Sequence, residues 1–501
     1  MTGKATLTSL GLAGLEHRGP APAADLAIEG LAVDSRDVKP GYLFAALKGV
    51  HLDGAEFAQY AVRMGAAAVL CSVEGAERAR ADIGDWPVPF LIDDDPRRRL
   101  ALAAAQWFGR QPKTIVAVTG TNGKTSVANF TRQIFTALGR KAASFGTIGV
   151  EGAVTANLNH TTPEPITLHR LLAELDEAGV THACMEASSH GLAQRRLDGV
   201  ALTAGALTNV TRDHLDYHAD YQDYLDSKLR LFGALLPATA PAVLNADDAS
   251  FAPACEAAIE AGLTVIPFGR DEAAYQGMRL IDARFDAEGQ ELDLEWLGDR
   301  ATVRLNLIGG FQGLNVMTAA ALAISCGEAA GDVMTVLPAL TGVKGRMEHV
   351  ATRANGAGVY VDYSHTPDGL ATALAALRLH TPGRLIVVFG AGGDRDAGKR
   401  PLMGEAAAEL ADGVIVTDDN PRTEDPGLIR RAIMARCPNA IEIADRAEAI
   451  LTGVDALSPH DRLLIAGKGH ETGQIVGETT IPFDDAEQAR AAVGALDGDE
   501  M

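Results

Sequence analysis

The chain is short of cysteine and of aromatic side chains, and both shortages exclude something. Its five cysteines (Cys71, Cys184, Cys255, Cys326 and Cys437) are scattered, odd in number and never arranged as a CxxC pair. That argues against a disulfide framework or a structural zinc site and for a reducing compartment. No apolar stretch is long enough to span a bilayer. The start, MTGKATLTSLGLAGLEHRG, lacks the sustained apolar core of a secretion signal. A cytoplasmic location without membrane insertion is therefore expected. Basic residues are outnumbered, 44 against 66 acidic ones, for a net charge of −22. Non-specific binding to nucleic acid or to an anionic membrane is thus disfavoured, although a local basic pocket for an anion is not. There is no short-period repeat and no low-complexity tract.

What the chain does have is 47% hydrophobic residues and 53 glycines, the profile of a soluble α/β protein. With 501 residues it exceeds one core, and three blocks emerge. Residues 1–110 hold short strand-like runs (LAVDS, YLFAAL, AAAVLC, VPFLI) and an alanine-rich helix, closed by a GRQPK linker. Residues 111–344 open with TIVAVT, typical of a buried parallel strand, and continue with THACMEA, GALTNV and APAVLNA between helical stretches. Residues 345–501 carry GVYVDY, RLIVVFG, GVIVTD and RLLIAG, each ending in a polar or glycine-rich loop. The expected fold is α/β in three domains, with a central P-loop-type parallel-sheet ATPase domain and a Rossmann-like C-terminal domain.

Directly after TIVAVT comes Gly120-Thr121-Asn122-Gly123-Lys124-Thr125, then an amphipathic helical run. Glycines let the backbone turn its N–H groups toward a phosphate, and the helix adds its positive N-terminus. Lys124 can reach the β- and γ-phosphates, and the Thr125 hydroxyl can ligate Mg²⁺. Val118 stands where the usual P-loop has its first glycine. Glu186, closing the strand THACME, is a carboxylate placed to hold Mg²⁺. His214 and His218, spaced i, i+4, suggest zinc in isolation, but no third ligand follows the zinc-helix pattern, and packing is the favoured reading of His218.

VTGTNGKTS resembles the ATP loop of the Mur ligases, shared with folylpolyglutamate synthases. TTPE, MEASSHGLAQRR, LTNVTRDHLDYH, YLDSKLRLF, LNADD, GGFQGLNVMTA, GRME, VDYSHTPD, GGDRDAGKRPLM, DDNPR and AGKGHE follow in family order, covering Asp34 to Glu471. The resemblance implies an ATP-dependent, ADP-forming ligase of cytoplasmic peptidoglycan precursor synthesis, and so a role in cell wall biogenesis, cell shape and division. It would join meso-2,6-diaminopimelate to the D-glutamate of UDP-N-acetylmuramoyl-L-alanyl-D-glutamate through an acyl phosphate, using Mg²⁺. A monomer is expected. Such chemistry needs charge neutralisation and positioning more than an enzyme nucleophile. By resemblance, Lys124, Lys228 and His214 are catalytic. His214 ligates a second Mg²⁺, and Lys228 is carbamylated to become an anionic ligand. Asn315 lies near adenine, with Arg346 and Asp362 near phosphate and ribose. Ser35 matches a uridine-site serine, and Thr161, Thr162, Ser188, Gln194 and Arg196 match the site for the rest of that substrate. The segment GVHLDG departs from some relatives, which leaves its uridine contacts open.

Three charged loops then read together. Arg395 comes from GGDRD, Asp419, Asn420, Pro421 and Arg422 from DDNPR, and Gly467 and Glu471 from AGKGHE. All follow strand-like runs, so they are expected to converge on one crevice and hold the amino acid. An arginine pairs bidentately with the far carboxylate of diaminopimelate, and a glutamate accepts from its far ammonium. Lysine lacks that carboxylate and would leave the arginine unpaired. A dinucleotide-binding dehydrogenase is the first competing reading, but GAGGDR places Arg395 where the third glycine belongs. A P-loop regulatory switch lacks an NKxD-type motif here, and TTPE and DDNPR speak against a folylpolyglutamate synthase.

Overall fold

A computed structural model describes residues 5–49, 52–158, 160–214 and 217–498. Three sheets organise the chain. The first runs in the order Glu16–Arg18, Phe90–Ile92, Ala68–Cys71, Tyr42–Ala45, Gly30–Ala32, parallel except for its first strand. Helix Pro96–Phe108 follows it. Asp95 caps that helix by accepting from the Arg98 N–H, and Gly109 ends it in the left-handed conformation.

The central sheet has ten strands. Its parallel part runs Ala142–Gly146, His182–Glu186, Thr114–Thr119, Ala204–Leu207, Pro241–Asn245, Thr264–Gly269, Met278–Asp286. All but the last of these strands are largely apolar because helices cover both faces. Helices Lys124–Ala137 and Gly310–Ser325 pack on one face through Phe130, Ile134, Val316 and Ala320. Leu168, Leu172, Leu225 and Phe232 fill the other. The sheet is mostly parallel, as expected, and antiparallel strands extend both of its ends. Gly149–Gly152 pairs antiparallel at one edge, and Gly289–Trp296 and Asp299–Leu305 extend the other as an antiparallel meander. Short turns join those strands, and such turns permit only antiparallel neighbours.

The third sheet runs Glu348–Thr352, Gly358–Asp362, Arg462–Ala466, Leu385–Phe389, Gly413–Val416, Ile441–Glu442. All pairings but the first are parallel. The last-formed strand, Arg462–Ala466, inserts between two earlier ones, so the loops after Asp362, Phe389, Val416 and Ala466 leave one edge together. Ile308 and Phe311 of the middle domain pack into the apolar core of the last one with Leu370 and Leu374, and polar brackets add to this. His380 donates from Nδ1 to Asp286 O at 2.6 Å and accepts the Gly309 N–H at Nε2, 3.0 Å away. Arg195 pairs with Asp95 at 2.8 Å. Among the described residues, no helix is long and apolar enough to cross a membrane.

Candidate active site

Strand Thr114–Thr119 and helix Lys124–Ala137 hold the glycine loop between them. Gly120 has φ 143°, and a Cβ there would lie 1.9 Å from Thr208 Oγ1. Gly123 has φ 88° and would meet Asn315 Oδ1 at 2.5 Å. Only glycine fits both places. Lys124 Nζ donates to the carbonyls of Gly120 (3.0 Å) and Thr121 (2.8 Å), folding the lysine over its own loop. Lys228, 1% exposed on helix Tyr221–Arg230, donates from the far side to the same Gly120 carbonyl at 2.7 Å. Burial, then the neighbouring Lys124, pushes the Lys228 amine well below its ordinary pKa, against the pull of Asp213. Lys124 is shifted down too, chiefly by burial, with Glu186 opposing.

A cleft of about 420 Å³ opens beside this loop. It brings together Thr121, Asn122, Gly123, Lys124, Thr125, Glu186, His214 and Lys228 with Asn315, Arg346 and Asp362, and it takes in Thr161 and Ser188. Glu186 accepts from the Thr147 N–H (2.7 Å) and hydroxyl (3.2 Å), and that hydroxyl is also 3.0 Å from the Thr161 hydroxyl. A Cβ on Gly146 would sit 2.1 Å from Glu186 Oε1, so that glycine makes room for the carboxylate. Thr162 donates to the Glu186 carbonyl at 2.9 Å and accepts the Ser188 N–H at 3.0 Å. Arg196 reaches Thr162 O (2.6 Å) and Gln194 Oε1 (2.8 Å), and Gln194 donates to the Tyr217 hydroxyl (3.1 Å). Burial and nearby Arg97 lower the Arg196 pKa. His218 is buried with Nδ1 at 3.1 Å from Asp223, a packed histidine.

The last domain closes the cleft. Arg346 Nη2 lies 3.3 Å from Thr125 Oγ1, and its guanidinium stacks on Tyr363 at 4.6 Å. Asp362 ties the start of the last domain to its second strand by accepting the N–H groups of Met347 (2.7 Å) and Ser364 (2.8 Å). Phe311, Tyr363, His365 and Asp213 also line the cleft. Burial, then Lys399, depresses the His365 pKa. Glu186 and Thr125 offer hard oxygens and His214 a ring nitrogen, which suits Mg²⁺ completed by phosphate oxygens and water. Among the described residues, no group of three or more His, Cys, Asp or Glu is arranged to hold a metal by itself. Lys228, as an amine bound to a carbonyl, supplies no ligand in this form.

The three charged loops do meet, beyond the cleft-lining residues. Asn420 Oδ1 accepts from Lys468 Nζ (3.1 Å) and the Ile475 N–H (2.9 Å), while its Nδ2 donates to Glu471 Oε2 (2.9 Å). Arg422, at φ 53°, donates to the carbonyls of Gly393 (2.8 Å) and Asn420 (3.4 Å). The Pro421 carbonyl packs so close to Gly393 that a Cβ there would be 1.9 Å away. Gly467, at φ 119°, leaves space for the buried Asp419 carboxylate, 2.4 Å from where its Cβ would be. Arg395 is exposed on the same rim. Beneath them Arg446 and Asp485, both 0% exposed, pair at 2.6 Å, and Arg446 also donates to the carbonyls of Ala466 (3.0 Å) and Asp418 (3.3 Å). Thr423 to Pro426 shapes the exit: Asp425 caps helix Pro426–Met434. Ser35 stands apart from the cleft, buried in a turn capped by Asp34. Of GVHLDG, Val50 and His51 lie outside the described residues. Asp213, Thr147, Tyr363 and Lys468 escaped sequence reasoning, although each adjoins or lies within a quoted motif or a strand-end loop.

A mostly parallel sheet with this glycine loop, a carboxylate at the neighbouring strand end and a third domain lining the same cleft define an ATP-loop ligase, and the chain belongs to the Mur ligase family. Its segments 27–108, 118–323 and 345–469 match the models described as Mur ligase family catalytic domain, Mur ligase middle domain and Mur ligase glutamate ligase domain. Among its relatives is a Brucella melitensis protein, 52% identical over 477 residues (95% of this chain, 96% of the relative). Another, from Caulobacter vibrioides, is 50% identical over 482 residues (95% and 97%). Both are named UDP-N-acetylmuramoyl-L-alanyl-D-glutamate–2,6-diaminopimelate ligase. A solved structure of a ligase of that name is 32% identical, covering 98% of this chain and 99% of its own, with TM-score 0.71. Mycobacterium tuberculosis folylpolyglutamate synthase, solved with ADP and AMPPCP, shares the fold at 18% identity and TM-score 0.62 over 81% of this chain and 95% of that one.

Proposed function

We propose that the protein adds meso-2,6-diaminopimelate to UDP-N-acetylmuramoyl-L-alanyl-D-glutamate, using ATP and releasing ADP and phosphate. The observation that carries this reading is the meeting of DDNPR, AGKGHE and GGDRD beside an ATP-loop cleft, in a chain about half identical to ligases of that name over nearly its whole length. The domain limits that fit are 1–110 for the UDP-substrate, 111–344 for ATP and 345–501 for the amino acid.

The roles proposed for the residues combine their place in the fold with the family resemblance. Gly120 to Gly123 and Lys124 cradle the phosphates, Asn315 and Asp362 flank the nucleoside, and Arg346 brings positive charge across the hinge. Thr161, Thr162, Ser188, Gln194 and Arg196 hold the muramoyl dipeptide, and Ser35 the uridine. The D-glutamate carboxylate of the dipeptide takes the γ-phosphoryl group of ATP, leaving ADP, the amine of diaminopimelate attacks the acyl phosphate, and phosphate leaves from the tetrahedral intermediate. Thr125, Glu186 and His214 would hold Mg²⁺, which when bound neutralises charge on the phosphates and the acyl phosphate. Burial, which pushes the Lys228 amine well below its ordinary pKa, favours the unprotonated form that CO₂ would carbamylate, and the resulting carbamate would add an anionic ligand. Arg395 and Arg422 receive the far carboxylate, with Glu471, Asp419 and the Gly467 backbone around the far ammonium. The free cysteines fit a cytoplasmic, reducing setting. The protein would act as a monomer. A phosphate-release assay tests the reaction: release should require ATP, Mg²⁺, the UDP-muramoyl dipeptide and diaminopimelate together. Equal release without the dipeptide would contradict the reading.

A further inference from the structure

Lys468 is the residue that the proposed reaction leaves unassigned. It is 0% exposed, which is rare for a lysine without dedicated partners. It stands between two glycines of left-handed φ, Gly467 (119°) and Gly469 (56°), which turn the chain so that the side chain points inward. Its Nζ lies 3.1 Å from Asn420 Oδ1 and 3.1 Å from Glu471 Oε2. Asn420 closes the triangle by donating to the same Glu471 oxygen at 2.9 Å. Two consequences follow. The Asn420 amide has one workable orientation, oxygen toward Lys468 and the Ile475 N–H, nitrogen toward Glu471. Among the described residues Glu471 is hydrogen-bonded through Oε2 alone, which leaves Oε1 as the acceptor for a ligand.

We infer that Lys468 is a positioning residue for amino-acid recognition, acting through Glu471 and Asn420 and not by touching the reacting atoms. This rests on the diaminopimelate reading above. Remove the ammonium and Oε2 loses a charge-assisted partner, Asn420 loses the bond that sets its orientation, and Glu471 is free to rotate. The amino-acid site suffers while the glycine loop, built on another sheet, does not.

The test is a set of steady-state measurements on the full chain with Lys468→Met, Glu471→Gln and the double variant. Lys468→Met should raise KM for diaminopimelate by about tenfold or more, with KM for ATP and for the UDP-muramoyl dipeptide within about twofold of the parent. Because Lys468 acts through Glu471, the double variant should be no worse than about twofold beyond Glu471→Gln alone. If Lys468→Met does not fold, Lys468→Gln, which keeps an N–H donor in that space, is measured the same way and should show a smaller rise of the same kind. An unchanged KM for diaminopimelate, equal losses for all three substrates, or fully multiplicative effects in the double variant would overturn the inference. Failure of the parent enzyme to use diaminopimelate at all would instead overturn the reading on which it rests.

Discussion

Arg346 Nη2 lies 3.3 Å from the Thr125 hydroxyl, 221 residues earlier in the chain, and no other hydrogen bond found among the described residues ties the third domain to the glycine-loop helix. The arginine is held from behind by stacking on Tyr363. On the proposed reading, nucleotide phosphate and the seating of the last domain would share this side chain. Arg346→Ala should lower kcat/KM by about 100-fold while leaving the unfolding midpoint nearly unchanged. Steady-state kinetics beside a urea titration reads both. A loss of stability with kcat/KM intact would show the arginine to be a structural bracket only.

Gly123 tests the glycine loop itself. Its φ of 88° and the 2.5 Å from a Cβ to Asn315 Oδ1 leave alanine nowhere to go. Gly123→Ala should destabilise the fold by about 1–3 kcal/mol and sharply weaken ATP binding. Calorimetric titration with a non-hydrolysable nucleotide checks this, and parental affinity would contradict it.

On the proposed reading, Arg422 carries the choice of amino acid. Its guanidinium is already turned inward onto the carbonyls of Gly393 and Asn420, in a left-handed backbone position that the sequence does not reveal. Arg422→Ala should cut diaminopimelate turnover by about 100-fold and leave ATP binding nearly unchanged. A coupled phosphate-release assay with nucleotide titration decides it, and unchanged turnover would remove this residue from the site.

His169 gives a pH signature. It is buried on helix Pro165–Glu177, with Nε2 donating to Asp198 O at 3.1 Å. Burial lowers its pKa from 6.5 to about 4, opposed by that hydrogen bond. The folded value lies below the unfolded one, so as pH falls the unfolded chain takes up its proton first. Stability is therefore lost between pH 6.5 and about 4 and levels off below. His169→Gln should flatten that part of the profile, read from urea midpoints across the window. An unchanged slope would show that other groups set it.

Much of this was legible in the sequence because its physical signals are local. Strand, glycine loop and helix follow without a gap from Thr114 to Ala137, and alternating apolar runs gave the parallel strands around them. The antiparallel meander from Met278 to Leu305 is less legible. Its outward face is a charge network of Arg284 with Asp282, Glu291 and Asp293, although Leu292, Leu294, Val303 and Leu305 alternate inward. Lys468 was missed for the opposite reason. A lysine between glycines reads as exposed, and only the convergence of two distant loops buries it. The left-handed backbone of Arg422 and the depressed Lys228 amine are likewise products of tertiary packing that no local pattern encodes.

The most direct test of the whole account is the mass of the product. The protein is incubated with ATP, Mg²⁺ and UDP-N-acetylmuramoyl-L-alanyl-D-glutamate, with equal diaminopimelate and lysine in competition. The account expects a single product, heavier than the dipeptide substrate by one diaminopimelate less one water, formed with one phosphate released. A product carrying lysine, or phosphate release with no amide product, would contradict it.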